Sequence, residues 1–374
     1  MNNIEKNILN KINISLGDID KFTDLKKVNS KKENVLLFYL KNNKDNNFNL
    51  NQEEQDFLIK NSDLKQAGDH GNALMVAFLN NKRQNLNLNN NQLDYLIKHS
   101  NLKQIDNDGW NSLMLAFRYN HQQDLNLNDE QFDYLIKNSD LSQVDFRGQS
   151  CLLFALTYNL QQKLNLNHDH WDYLIKNSKL KQATLFNWSI LMQAILNKEN
   201  LTLTDQQWIY LIENSNLEQK NEQEKDALMI VLTENKNRNL YFSNEIMDCL
   251  IKNSNLCRTD NVGYNSLMIA LRNEKYQDLS LTVQQWLDLI NNSDLLYINQ
   301  IWRKESVLGL FVECKPEMID LVFKKAMKNK KFKLKNYKND KYYEVIVNLV
   351  ESIKVKNKIN KNLKKTGQTN KMKI

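Results

Sequence analysis

The chain has 374 residues, 41% apolar and 25% charged, which is the balance of a folded globular protein. Its 51 Lys and Arg against 44 Asp and Glu give a formal charge of +7. With only 8 Gly and 1 Pro, collagen-like and Pro-rich disordered chains are excluded and phosphate-cradling loops have little to build on. No stretch approaches the roughly 18 consecutive apolar residues of a membrane span. The opening residues lack the apolar core of a Sec-type signal peptide, so none is expected. Cys151, Cys249, Cys257 and Cys314 show no CxxC spacing and read as reduced thiols of a cytoplasmic protein. About one residue in six is Asn, with Lys and Ile also abundant, a bias of the kind an AT-rich genome produces.

Residues 1–22 read as an N-terminal capping segment. From there a repeat governs the chain. A phrase of the type Leu-Ile-Lys-Asn-Ser-Asp-Leu places its serine at Ser62, Ser100, Ser139, Ser178, Ser215, Ser254 and Ser293, with a degenerate copy at Thr23. The steps between serines are 38, 39, 39, 37, 39 and 39 residues. A second phrase in the same register places a leucine at Leu36, Leu74, Leu113, Leu152, Leu191, Leu228 and Leu267, then Val307. A fixed period in this range is the mark of stacked structural units, none of which buries its apolar face alone.

Each unit reads as two helices. The first carries an apolar face such as Leu113, Met114, Ala116 and Phe117, with small Ala at 77, 116, 155, 194 and 270 suited to close helix approach. The second opens on a capping box: Asn51/Glu54, Asn89/Gln92, Asn128/Gln131, Thr204/Gln207 and Thr282/Gln285. His170 and Ile246 break that rule. Apolar pairs such as Leu88/Leu93, Leu166/Trp171, Leu203/Trp208 and Leu281/Trp286 form hydrophobic staples, which places Trp171, Trp208 and Trp286 in the core. The helix runs about 10 residues, roughly 15 Å. It ends at Asn61, His99, Asn138, Asn177, Asn214, Asn253 or Asn292, residues that tolerate a left-handed exit. Between units lies a turn, or finger, such as Asp106-Asn107-Asp108-Gly109; Asp145–Gly148 and Asp260–Gly263 repeat it, while Ala183–Asn187 and Asn221–Glu224 have lost the pattern.

Asp106-Asn107-Asp108-Gly109-Trp110-Asn111-Ser112-Leu113-Met114-Leu115-Ala116 resembles the ankyrin opening D-x-x-G-x-T-P-L-H-x-A, with Asn for Thr, Ser for Pro and Met for His. The period is about six residues longer than the ankyrin 33, a surplus that fits the link between the two helices. HEAT-like and other α-solenoids have periods near 40 and stand as alternatives. The resemblance implies an all-α helical-repeat solenoid of about seven to eight helix-pair units over residues 23–311. The Asn-rich style is also similar to ankyrin-repeat proteins of obligate intracellular bacteria such as Rickettsiales. That likeness implies a host-directed effector, secreted into a host cell without a Sec signal.

After Phe311 the repeat stops. Residues 312–353 read as a helical C-terminal cap, with Pro316 opening a helix over Glu317–Met327 and a second apolar helical pattern over Tyr342–Ile353. Residues 354–374 read as a Lys-rich flexible tail. From Lys324 to Ile374 there are 17 Lys and 3 acids, so the mild overall charge hides a basic end and an acidic array.

No P-loop, G-x-G-x-x-G, H-E-x-x-H or G-x-S-x-G occurs. His168-Asp169-His170 is the only dense His cluster. It lacks further ligands at metal spacing and reads as a polar helix start. No catalysis, metal or cofactor is implied. Aromatic and Arg residues cluster instead on the fingers, and such residues anchor protein interfaces. Trp110, Phe146, Arg147, Phe186, Trp188, Tyr264, Trp302 and Arg303 are the candidate contacts for a protein partner, with rings lying flat on the scaffold as the competing reading. The expected molecule is a monomeric, non-catalytic scaffold. The alternative is a binder of nucleic acid or an anionic surface through Lys328, Lys330, Lys331, Lys333 and Lys335.

Overall fold

The computed structural model describes residues 3–16, 21–184, 187–234, 240–277, 279–301 and 305–371, of which 275–277 and 360–371 are described by backbone alone. The described residues are mostly helical with almost no strand, an all-α fold. The chain divides into two compact units, Met1–Ser215 and Asn216–Ile374, taken here in turn.

The first unit opens with α1 (Asn3–Asn13), α2 (Val35–Asn46) and α3 (Gln52–Asn61). A two-residue antiparallel hairpin follows, β1 (Ala67–Gly68) on β2 (Gly71–Asn72), with Ala67 opposite Asn72. Then come α4 (Ala73–Asn80), α5 (Asn90–His99), α6 (Ser112–Tyr119), α7 (Asp129–Asn138), α8 (Cys151–Tyr158), α9 (His168–Asn177), α10 (Ile190–Leu196) and α11 (Asp205–Asn214). The even-numbered helices pack in series from α2 to α10, and the odd-numbered ones from α1 to α11. Adjacent pairs such as α4/α5 and α6/α7 join the two rows.

Burial follows from this arrangement. An inner even-row helix, α4, α6 or α8, has a row neighbour on each side and an odd-row helix behind it. Accordingly Ser112–Phe117 of α6 and Cys151–Leu156 of α8 are buried without a break, as expected of a segment that is apolar all round. An odd-row helix buries only one stripe, as in Gln92, Leu93, Leu96 and Ile97 of α5. Its outer face carries i,i+4 ion pairs, Lys98–Asp94 at 2.8 Å and Lys137–Asp133 at 2.7 Å.

Polar side chains set the helix ends. The capping boxes form at Asn51/Glu54, Asn89/Gln92, Asn128/Gln131 and Thr204/Gln207. His170 does not break the rule: its ring Nδ1 accepts the Asn167 N–H at 3.4 Å and completes the box. The exit differs from the left-handed turn expected there. The final Asn stays helical and its side-chain amide donates to the carbonyl four residues back, as in Asn138 to Tyr134 at 2.8 Å. Ser139 follows in extended conformation with φ −84°. A side chain that can close the last turn itself removes the need for a left-handed residue.

Positive φ occurs instead in the link between the two helices, at every second residue. Asn85 and Asn87 (φ 52° and 50°), Asp124 and Asn126 (52° and 46°), and Lys163 and Asn165 (49° and 51°) take the left-handed region. The leucines at 86, 88, 125, 127, 164 and 166 alternate with them and are buried. Amides then join one unit to the next. Asn81 Nδ2 donates to the Gln123 carbonyl at 3.1 Å, and Asn120 Nδ2 to that of Gln162 at 3.2 Å. In return the Gln123 and Gln162 side chains accept the N–H groups of Arg83 and His121.

The second unit holds α12 (Ala227–Glu234), α13 (Asn244–Asn253), α14 (Ser266–Gln277), α15 (Val283–Asn292), α16 (Val307–Cys314), α17 (Ile319–Lys328) and α18 (Tyr343–Lys371). α12, α14, α16 and α18 pack in series, α13 packs on α15, and α17 packs on both α16 and α18. Pro316 opens a short 3-10 turn, Pro316–Met318, so α17 begins later than the sequence suggests. α18 runs without a break past Lys354, where a flexible tail was expected to begin. No described helix is long and apolar enough to cross a membrane.

Candidate functional site

The fingers are small closed turns. Asp106 Oδ1 accepts the N–H groups of Asp108 and Trp110, and Ile105 bridges Asn111 across the base. Asp145 and Asp260 repeat the arrangement. The two copies that lost Asp-x-x-Gly still close. Asn187 and Glu224 supply the positive φ of the missing Gly, at 59° and 58°. Asn221 replaces the Asp and accepts the N–H groups of Gln223 and Lys225. Neighbouring fingers are pinned together, with the Phe146 N–H donating to the Asp108 carbonyl at 3.1 Å.

The candidate contacts separate into distinct environments. Trp110 is half-buried: its indole N–H donates to Asp145 Oδ2 at 3.2 Å, and its ring meets Phe154 edge-on at 5.3 Å. Phe146 is 60% exposed, with the Arg147 guanidinium 5.1 Å from its ring centre. Trp188 is half-buried, and its backbone N–H is held by Thr184 Oγ1. Tyr264 is only 6% exposed, buried against Arg272 and Glu305, so it faces away from solvent. Phe186, Trp302 and Arg303 lie outside the described residues.

Beside Trp110 stand residues that the finger-based reading missed. Arg118, on the last turn of α6, lies 5.6 Å from the Trp110 ring, 5.7 Å from Tyr119 and 4.8 Å from Tyr158 of α8. Phe154 and Tyr158 contact each other at 5.7 Å, and Leu160 beyond them is 64% exposed. The result is an aromatic patch that links one finger, through Trp110, to α6 and α8. The sequence carried one signal for it: Arg stands eight residues after the ring in Trp110/Arg118 and again in Tyr264/Arg272. Next to the patch, an open groove of about 600 Å³ is lined by Lys41, Asp45, His70, Arg83, Asp106, Asp108, Trp110 and Tyr119. Burial pushes the Asp106 carboxyl above its ordinary value, against the pull of the N–H groups it accepts.

The basic candidates lie at and after the end of α17. Lys328, Lys330, Lys331, Lys333 and Lys335 are all exposed, and none forms an ion pair among the described residues. They project from a folded segment, since Ala326, Tyr337, Ile346, Val350 and Ile353 are buried.

No group of three His, Cys, Asp or Glu among the described residues could hold a metal ion. Burial lowers His170 below the usual imidazole value within its capping box. Burial pushes the Cys151 thiol up to about 12, far from a reactive thiolate. The sequence matches no known family model, and no curated protein matches it.

Proposed function

We propose that this protein is a non-catalytic recognition scaffold that binds a protein partner along the face formed by its fingers and even-row helices. The repeats are read as ankyrin-like helix-pair units, about seven to eight in number, and the chain as a monomer acting in the cytoplasm. The effector role in a host cell belongs to the same reading and rests on the likeness in repeat style alone. The observation that carries the proposal is the aromatic patch. Trp110, Tyr119 and Tyr158 surround the Arg118 guanidinium, and Phe146 on the next finger and Leu160 after α8 are exposed. Aromatic and Arg residues held rigid on a scaffold present large contact area at small entropy cost.

A second reading has its own support in the unpaired lysines from 328 to 335, which favour an acidic surface or nucleic acid. The two readings separate by affinity capture from nuclease-treated extract at about 0.15 M salt. Truncation before α18 would open the core and Trp110→Ala would take the indole donor from Asp145 Oδ2, so exposed side chains are the better probes. Three full-length baits are compared: wild type, Phe146→Ala with Arg147→Ala, and a variant with Lys328, Lys330, Lys331, Lys333 and Lys335 all changed to Gln. A protein kept by the first and third baits and lost by the second supports the scaffold reading. Loss with the Gln variant alone moves function to the basic segment.

A further inference from the structure

The two units carry the same device in two states. In the second unit, Arg272 stands eight residues after Tyr264, packed 4.8 Å from its ring centre and donating to its hydroxyl. Both meet a carboxylate: Tyr264 donates to Glu305 Oε2 at 3.1 Å, and Arg272 Nη1 lies 3.7 Å from the same oxygen. Glu305 closes the next finger, where its carbonyl accepts the Asn299 N–H.

In the first unit Arg118 stands eight residues after Trp110. The residue that closes the next finger there is Gln149, whose carbonyl accepts the Asp145 N–H. The acid is therefore missing. Arg118 has three rings around its guanidinium, no carboxylate paired with it among the described residues, and a buried Nε–H without an acceptor. A guanidinium carries a planar fork of donors that matches a carboxylate.

We propose that Arg118 anchors an acidic side chain of the protein partner, whose carboxylate takes the place that Glu305 fills in the second unit. This rests on the scaffold reading and names the chemistry its partner must present. Glu305 indicates that a carboxylate suits an arginine in this setting. A nucleic acid is disfavoured, because its run of phosphates would meet Asp106, Asp108 and Asp145 on the same fingers, whereas a peptide can bring a single carboxylate to Arg118.

The test uses full-length protein on an array of short end-blocked peptides of random sequence. Wild type is expected to retain peptides enriched in Asp or Glu. Changing that acid to its amide, or Arg118→Gln, weakens retention about tenfold or more, and Arg118→Lys restores it only in part. Gln149→Glu supplies the missing carboxylate from within and is expected to weaken retention too. It keeps Arg118 in place and carries the test if Arg118→Gln does not fold by circular dichroism. Retention that ignores both the acid and Arg118 overturns the inference. If Phe146→Ala still releases those peptides, the scaffold reading survives that loss. If no peptide is retained, or none responds to either position, both fall. Arg118-dependent retention of single-stranded oligonucleotides in place of peptides also overturns the inference.

Discussion

The carboxylate of Asp340 accepts the backbone N–H of Ser306 at 2.8 Å, so the loop ahead of α18 caps the start of α16. Its other oxygen accepts the Tyr342 N–H at 2.8 Å, which ties the same carboxylate to the start of α18. Gly309 makes room for this. A Cβ at residue 309 would stand 2.6 Å from Asp340 Oδ1. Gly309→Ala is therefore expected to destabilise the second unit by about 1–3 kcal/mol, although alanine is the better helix former. Thermal unfolding followed by circular dichroism checks this. A Tm equal to or above wild type would mean that Asp340 moves aside at no cost.

The amides that join successive units should dominate over those on the surface. Asn120 is buried, accepts the Leu127 N–H at 3.0 Å and donates to the Gln162 carbonyl at 3.2 Å. Asn120→Ala leaves both groups unpaired and is expected to cost about 2–3 kcal/mol. Asn138→Ala removes one exposed bond to the Tyr134 carbonyl and should cost under about 1 kcal/mol. Urea unfolding of the two variants side by side tests the difference. Equal losses would show that the inter-unit amides carry no special weight.

Much of this was legible because each unit repeats the same physical problem. The leucine phrase, the capping boxes and the staple tryptophans recur at fixed spacing, and Trp171 and Trp286 are buried as that spacing requires. Asparagine was harder to read. One residue type caps helices at Asn89, closes last turns at Asn138, adopts positive φ at Asn126 and bridges units at Asn120. Its abundance looked compositional because local sequence does not distinguish these four uses. The fingers show a similar limit: Trp110 and Tyr264 hold the same repeat position, yet Glu305 draws the tyrosine inward while Trp110 stays half-exposed. Long-range partners decide such cases.

The link offers a direct check of the backbone argument. Asn126 adopts φ 46° with its side chain in solvent, in weak contact with the Asp124 carbonyl at 3.4 Å. Asn126→Ala is expected to cost about 1 kcal/mol, while Asn126→Gly should be close to neutral. The two variants separate strain from hydrogen bonding, since both lose the amide. Equal Tm values for Ala and Gly would refute the conformational account.

Asp226 gives the clearest dependence on pH. It caps α12, its Oδ1 accepting the Met229 N–H at 2.9 Å, but its Oδ2 is buried without a partner. At the matching position Asn72 and Asn111 donate to the carbonyls of Asn101 and Asp140, each 29 residues on. Asp226 has no such donor when ionised. Burial raises its carboxyl above the ordinary value, despite the N–H it accepts and the charges of Lys220 and Arg258. The folded chain thus holds this proton more tightly than the unfolded chain. The stability linked to it is full below the unfolded value of about 3.9 and is lost as pH rises through the folded value. Asp226→Asn keeps the cap and carries no charge. It is expected to stabilise by about 1–2 kcal/mol at pH near 7, with the gain shrinking toward pH about 4. Urea unfolding at both pH values decides it. Destabilisation at neutral pH would instead show that Lys220 and Arg258 hold the ionised carboxylate in place.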